Sequence, residues 1–447
     1  MGRNNPRRQH LANAAFGILD YAAYPIGMLA VAPVVLRNLG VAQFGVWTVA
    51  TAAVSTGSMI ASGFGDANIQ QVATERSAGN ERALMRVVRS TMGIHVALGV
   101  AIAAIAWKAA PLMASRVTAA NPELEMSCVW CLRIAGLLMF IRAIESVCIS
   151  TQRGFERYGN AVRVSIFARI LSLALAALLS AVSHNVVAIM AATAGLTALG
   201  ACAQVIELKG FLRTESLAPS FASDAAQSLV RFGVFSWLLA ICGVVFSQVD
   251  RLIGGAALGA SAVVGYALCA QLAQPIYGVA ASGLHFLFPY LAGRRVAASV
   301  AVLRRAVLLA LGANLALVLA GTLVLLFWGG TILHVWVGTK MAAEGTALLP
   351  LVVLSSAALG LSVTGSYAML ALRRVQAVTW LNVAGGASML LAIAWLLPRY
   401  GISALAAARL LYGSITLLIY IPLALRLRPC ATRIPSISNQ VAAREGA

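Results

Sequence analysis

Five arginines, Arg133, Arg142, Arg169, Arg251 and Arg409, fall inside or at the very ends of stretches otherwise apolar enough to cross a bilayer. A charge at membrane depth costs about 2.5–3.5 kcal/mol on insertion scales, so it faces a cavity or a partner. A guanidinium stays charged and grips phosphate oxygens in a bidentate fork. Arg169 lies near the middle of its run and Arg142 about 6 Å from the middle of its own, too deep to snorkel easily. Glu145, three positions after Arg142, is a natural ion partner for it. Arg133, nearer an end, reads as a snorkelling residue. Two carboxylates stand out in the same way: Asp20, five residues before the bend-capable Pro25, and Asp250 beside Arg251. A membrane carboxylate next to a bend can exchange a proton or a sodium ion as access alternates, and a hydrogen bond to Tyr24 or a neighbouring helix is the competing reading for Asp20. Asp250–Arg251 reads equally as an interfacial pair.

The neighbours of these charges form polar stripes at helical spacing: Thr51, Ser55, Ser58, Ser62 and Asp66; Ser165, Arg169 and Ser172; Gln271, Gln274, Ser282 and His285. Small and hydroxyl residues also let membrane helices approach one another, so packing is an open alternative for the serines, Gln271 and Gln274.

The elements that must position these groups follow from composition. The chain has 447 residues, 60% hydrophobic and 11% charged, and a mean hydropathy of +0.87. Soluble domains carry about 25% charged residues. A span needs about 20 apolar residues. Twelve such runs can be placed, at 12–36, 43–65, 86–110, 126–150, 160–183, 186–208, 229–254, 261–290, 302–328, 345–371, 376–397 and 402–425. The expectation is an all-α polytopic membrane protein of about 12 transmembrane helices in two six-helix bundles. The bundles would cover 1–208 and 229–425, joined by a linker at 209–228 and followed by a basic tail at 426–447.

Basic residues crowd alternate gaps. With the N-terminus in the cytoplasm, 23 of the 33 Lys and Arg fall in inner segments and only 5 in outer gaps. That asymmetry puts both termini in the cytoplasm. The formal net charge of +19 therefore reflects topology and contact with anionic membrane lipids, not nucleic acid.

The two halves echo one another. Leu39-Gly40 through Gly45-Val46-Trp47, between runs 1 and 2, is repeated by Leu258-Gly259 through Gly265-Tyr266, between runs 7 and 8. Parallel repeats of this kind commonly bind substrate between the halves. Leu39-Gly40-Val41-Ala42-Gln43-Phe44-Gly45-Val46-Trp47, Gly63-Phe64-Gly65, Val87-Val88-Arg89-Ser90, Thr151-Gln152-Arg153-Gly154-Phe155-Glu156-Arg157-Tyr158 and Asp250-Arg251-Leu252-Ile253-Gly254 occur in that order along the twelve runs. In these segments the chain resembles the polysaccharide and O-antigen flippases of the multidrug/oligosaccharidyl-lipid/polysaccharide exporter superfamily. The resemblance implies a V-shaped pair of bundles in the bacterial inner membrane. It would move undecaprenyl-diphosphate-linked oligosaccharide between leaflets by alternating access, driven by a proton or sodium gradient rather than a cofactor. Partners would be the lipid-linked oligosaccharide, membrane lipids and the polysaccharide polymerase machinery. On that reading Arg142, Arg169 and Arg409 form a cationic wall for the diphosphate, Glu145, Gln271 and Gln274 line the cavity, and Asp20 and Asp250 serve ion coupling. Many relatives have fourteen helices, and the twelve runs counted here set the expectation of a chain without the last two.

Other motifs carry less. Cys128-Val129-Trp130-Cys131 has no second cysteine pair or nearby His for the four ligands zinc requires, and Gly254-Gly255 through Gly259 lacks the Lys-Ser/Thr of a phosphate loop. A multidrug or cation antiporter would want an acidic cavity, whereas the deep charges lean basic. A membrane-bound sugar polymerase or ligase would want a long outer loop, and the longest outer gap, 111–125, is short.

Overall fold

The computed structural model describes residues 6–214, 216–220, 248–284, 300–372 and 374–427, with isolated positions at 234, 237, 238, 287 and 291. For residues 6–25, Tyr158 and 160–162 only the backbone is described. No strand occurs among the described residues. The helices are α1 (Pro6–Ser62), α2 (Gly65–Ser77), α3 (Glu81–Val117), α4 (Glu125–Gly154), α5 (Tyr158–Val182), α6 (Val186–Leu212), α7 (248–258), α8 (Ala260–Gly283), α9 (Val300–Val337), α10 (Thr339–Thr346), α11 (Leu349–Ala371), α12 (Val375–Tyr400), α13 (Ser403–Thr416) and α14 (Tyr420–Arg426).

α1 has 57 residues, roughly 86 Å at 1.5 Å per residue and nearly three times the ~30 Å hydrocarbon core. It is two spans joined at Gly40, where φ 75° and ψ 171° lie in a region open almost only to glycine. The chain reverses there. Asn38 Nδ2 donates to Ser180 Oγ at 3.1 Å and Gln43 Oε1 accepts from the Val186 amide at 3.1 Å, so both flanks of Gly40 meet the α5–α6 joint. Gly27 and Gly57, far from the turn on either arm, face Leu173 and Met139 deep in α5 and α4. Gly259, the counterpart of Gly40 in the sequence echo, adopts φ 89° and ψ 157°, so the repeat is visible in backbone conformation.

Ten segments among the described residues are long and apolar enough to cross a membrane. One of them holds both arms of α1, and the expected run at 229–254 lies mostly outside the described residues, α7 being its described end. The protein is an all-α polytopic membrane protein. Two boundaries differ from expectation. The second arm of α1 ends at Ser62, so Asp66 leaves the polar stripe and stands exposed in the first turn of α2, where a carboxylate complements the helix dipole. The last run is broken by a 3₁₀ turn at Leu417–Ile419 between α13 and α14.

Burial distributes unevenly across the membrane. On the side away from the basic loops a single core joins early and late helices: Phe44, Trp47, Val49 and Val117 pack with Val264 and Met341. Gly45 is needed there, because a Cβ would fall 2.4 Å from the Ala260 carbonyl oxygen. Ser261 Oγ donates to Asn121 Oδ1 at 3.3 Å across the same seam. On the basic side the cores separate. Val72, Leu84, Val88, Cys148 and Leu208 form one, and Leu303, Val307, Met369, Val378 and Leu423 another. Trp237 bridges to α1 there, its indole donating to the Ile60 carbonyl at 2.8 Å. Among the described residues the halves share one core toward the side poor in basic residues, while toward the basic side their cores are separate and Trp237 reaches across to α1.

The seam has a specific latch. Pro33 has no amide hydrogen, so the carbonyl of Leu29, four residues earlier, loses its helical donor. An orphan carbonyl in hydrocarbon is expensive because no water can reach it. Trp336 of α9 supplies the missing donor, Nε1 to Leu29 O at 2.7 Å. Trp336→Phe should therefore lower stability by about 1–3 kcal/mol, measured by unfolding of the detergent-solubilised protein. In a Pro33→Ala background, where residue 33 donates its own amide, the same change should cost much less. Equal losses in both backgrounds would show that Trp336 acts by packing alone.

Candidate functional site

The deep polar groups fall into two clusters, one in each half. The first spans α4, α5 and α6. Glu145 is buried on α4, and its carboxylate accepts a short hydrogen bond from Ser165 Oγ of α5. Ser165 in turn accepts from Gln204 Nε2 of α6 at 2.8 Å. These three side chains tie three antiparallel helices at one depth. Arg142 is 12 residues from the basic end of α4 and Arg169 is 11 from that of α5, so both lie about 17–18 Å into the bundle. The antiparallel register puts both one turn beyond the Glu145–Ser165 bond, at a common level, and both are half-buried. Two arginines thus stand at one level at mid-depth, one turn from the buried carboxylate of Glu145.

The polar layer continues toward the basic side. Asn68 Nδ2 donates to Ser150 Oγ at 2.8 Å and Thr151 Oγ1 at 2.9 Å, and its Oδ1 accepts from Thr91 at 3.1 Å. His95 of α3 is fully buried with Nδ1 3.2 Å from the Ala143 carbonyl, next to Arg142 in sequence. Asn68, His95 and Gln204 were not singled out by stripe reading. His95 has only Thr91 and Gln204 only Glu207 as a polar neighbour one turn away, and Asn68 lies on a largely polar helix, so none of them stands out as a stripe. At the surface Arg76 lies over Phe155 (5.4 Å) and Arg157 over Phe211 (4.4 Å), so basic loop residues also brace the helix ends. Arg133 lies over Trp107 and Trp130 at 4.8 and 5.3 Å. Both rings are about half exposed, an interfacial belt that fits the snorkelling expectation.

The second cluster belongs to α7, α8 and α13. Asp250 is fully buried and forms an ion pair with Arg409 at 2.9 Å. The same oxygen, Oδ2, accepts a short hydrogen bond from Tyr266, and Oδ1 accepts from the Arg251 amide at 2.8 Å. Asp250 is therefore no interfacial residue. Arg409 departs from the expected three-arginine wall: its charge is neutralised by a carboxylate within its own half, while Arg142 and Arg169 are grouped on the other. Gln271 and Gln274 are half-buried on α8, and Gln271 Nε2 is buried without a hydrogen-bond partner among the described residues. Asp20 lies on α1 where only the backbone is described, and His285 lies outside the described residues.

A membrane bundle pair whose described halves share a core on one side and hold buried charges between their helices is a build that suits a transporter. The comparisons agree. The chain belongs to the family described as "Polysaccharide biosynthesis protein", whose model matches residues 34–295. Among solved structures it is similar to the lipid II flippase MurJ in an inward closed conformation, at 12% identity over 92% of this chain and 87% of that one, TM-score 0.76. It is also similar to an inward-facing multidrug resistance MATE transporter of the MOP superfamily, at 14% identity over 92% and 98%, TM-score 0.71. A MOP-superfamily transporter from Pyrococcus furiosus, reported to have a binding pocket of reversed polarity, aligns at 14% identity over 95% and 96%, TM-score 0.58. No curated protein matches the sequence. At these identities the structural likenesses establish the fold.

Removing one member of a buried ion pair strands the other and costs about 3–5 kcal/mol, whereas replacing both with apolar groups is often neutral. Asp250→Leu and Arg409→Leu should each sharply lower the unfolding temperature, and the double variant should recover most of the loss. A double variant as unstable as the sum of the singles would mean that the charges serve more than each other.

Proposed function

We infer that the protein is a flippase for an undecaprenyl-diphosphate-linked oligosaccharide in the bacterial inner membrane, serving surface polysaccharide export. The observation that carries this reading is the pair Arg142 and Arg169, level with each other at mid-depth in a chain of the polysaccharide-biosynthesis family. The diphosphate is the part of such a substrate that hydrocarbon rejects most strongly. Two guanidiniums there offer it bidentate, charge-assisted hydrogen bonds in place of water. Glu145, hydrogen-bonded to Ser165 and through it to Gln204, would fix α4 against α5 and hold the arginines in register, while Gln271 and Gln274 would present amides to the sugar. Loading from the basic-side leaflet fits a seam closed on the opposite side. Nearby polymerase machinery would consume the product on that opposite side.

Arg169→Glu should abolish export of the polysaccharide while the protein still reaches the membrane, and inner-leaflet lipid-linked sugar should accumulate. Arg169→Lys should retain part of the activity, since a point charge replaces the fork. Normal export by Arg169→Glu would overturn the assignment. The energy source proposed is a proton or sodium gradient acting through Asp20, because Asp250 is committed to Arg409 and Tyr266. Translocation into inverted vesicles should slow when the coupling gradient is collapsed and in Asp20→Asn. Unchanged flux with both gradients collapsed would eliminate ion coupling. A drug antiporter on the same fold would instead favour cationic cargo, which two central arginines repel.

A further inference from the structure

A cavity of about 1230 Å³ opens between α1 and α9, beside Leu272 of α8. Its walls are apolar: Pro33 and Val34 on one side, Trp328, Ile332 and Val335 on the other. The α1 wall runs from Ile26 to Asn38, about 18 Å of helix, slightly more than one leaflet of a ~30 Å core. That leaflet is the one away from the basic loops, because Gly40 and Val337 both end their helices there. At its rim stands Arg37. Arg37 is exposed and makes no ion pair or hydrogen bond with the described residues. It is also one of only five basic residues in the gaps on this side, so orientation does not account for it. The cavity lies on the seam between halves, where the Trp336–Leu29 latch closes. A lipid carried between the two halves can rejoin the bilayer only sideways, through such a seam.

We propose that this groove is the lateral exit for the carrier lipid, seating its polyprenyl chain between α1 and α9 while Arg37 holds its phosphate at the membrane surface. The proposal rests on the flippase reading and extends it to a second phosphate station, one leaflet beyond Arg142 and Arg169. Arg37 is suited to the task for a physical reason. A guanidinium at the headgroup level is hydrated, so it binds phosphate more weakly than one at mid-depth and lets the product go.

The test uses full-length protein in phosphatidylcholine nanodiscs, with sugar-free undecaprenyl phosphate as the probe and native mass spectrometry as the readout. The wild type should retain the probe against excess phosphatidylglycerol. Arg37→Glu, which reverses the rim charge, and Val34→Trp, which fills the groove, should each weaken retention about tenfold, the scale of one charge-assisted contact. A photoreactive residue at Val335 in the otherwise unchanged chain should label the probe. That second measurement keeps the proposal open to refutation if either variant fails to fold. Undiminished retention by both variants, displacement by an equal amount of phosphatidylglycerol, or no labelling at 335 would each overturn it. The two readings fail separately. Probe held in the groove by a protein that never translocates sugar-bearing lipid would refute the flippase assignment and leave the groove as a seat for polyprenyl phosphate, whereas translocation without probe retention would refute the exit groove alone.

Discussion

Hydrocarbon offers no water to a polar group, and each inter-half arrangement here answers that constraint. Pro33 breaks the hydrogen-bond ladder of α1 inside the membrane, and the resulting orphan carbonyl at Leu29 is satisfied from the other half by Trp336. Local helix chemistry is thereby converted into an inter-half contact. The contact is polar and directional, so it favours one arrangement of the halves where greasy packing would tolerate many. Its strength suits the task. A bond worth a few kcal/mol shifts a two-state equilibrium by one to two powers of ten without locking it.

The same constraint divides the labour between halves. In the α7–α8–α13 cluster the buried charges answer one another: Asp250 meets Arg409, Tyr266 and the Arg251 backbone amide. Such a closed set holds helices together and has little left to offer a ligand. In the α4–α5–α6 cluster the buried carboxylate of Glu145 is engaged by Ser165, and two arginines lie one turn beyond it. On the proposed function, an anionic cargo entering between the halves would meet these guanidiniums on the early helices, and the late helices would contribute neutral amides and walls. Alternating access is easier on such terms, because cargo held mainly by one half does not cross-link the two.

How legible this was in the sequence differs by layer. Spans and turns were legible because bilayer thickness and glycine-only backbone conformations act locally: Gly40 and Gly259 announce their joints from their neighbours alone. The level arginines were legible as exceptions to apolar runs. Their grouping was not, since Arg409 is 159 residues from Asp250 and only the packing of α13 on α7 brings them together. Stripe reading also extended the polar face of α1 through Asp66, beyond the break after Ser62 that sends Asp66 to the surface. Asn68, Gln204 and Trp336 carried no periodic signal at all. Pro33 was the available clue to the last, because a proline inside a membrane span implies a donor elsewhere.

That clue also connects the latch with the groove beside it. Removing the amide at residue 33 both creates the acceptor that Trp336 fills and sets the proline ring in the groove wall, in place of a continuous helical face. The bond that closes the seam and the space that a chain could occupy are thus built from one residue. Opening the seam on this side must break the Trp336–Leu29 bond and re-expose an acceptor to hydrocarbon. A lipid chain lying along Pro33 cannot replace that hydrogen bond, but water entering behind a hydrated phosphate at Arg37 can. Release of cargo and rupture of the latch are then favoured by the same event, the arrival of a hydrated headgroup at the rim.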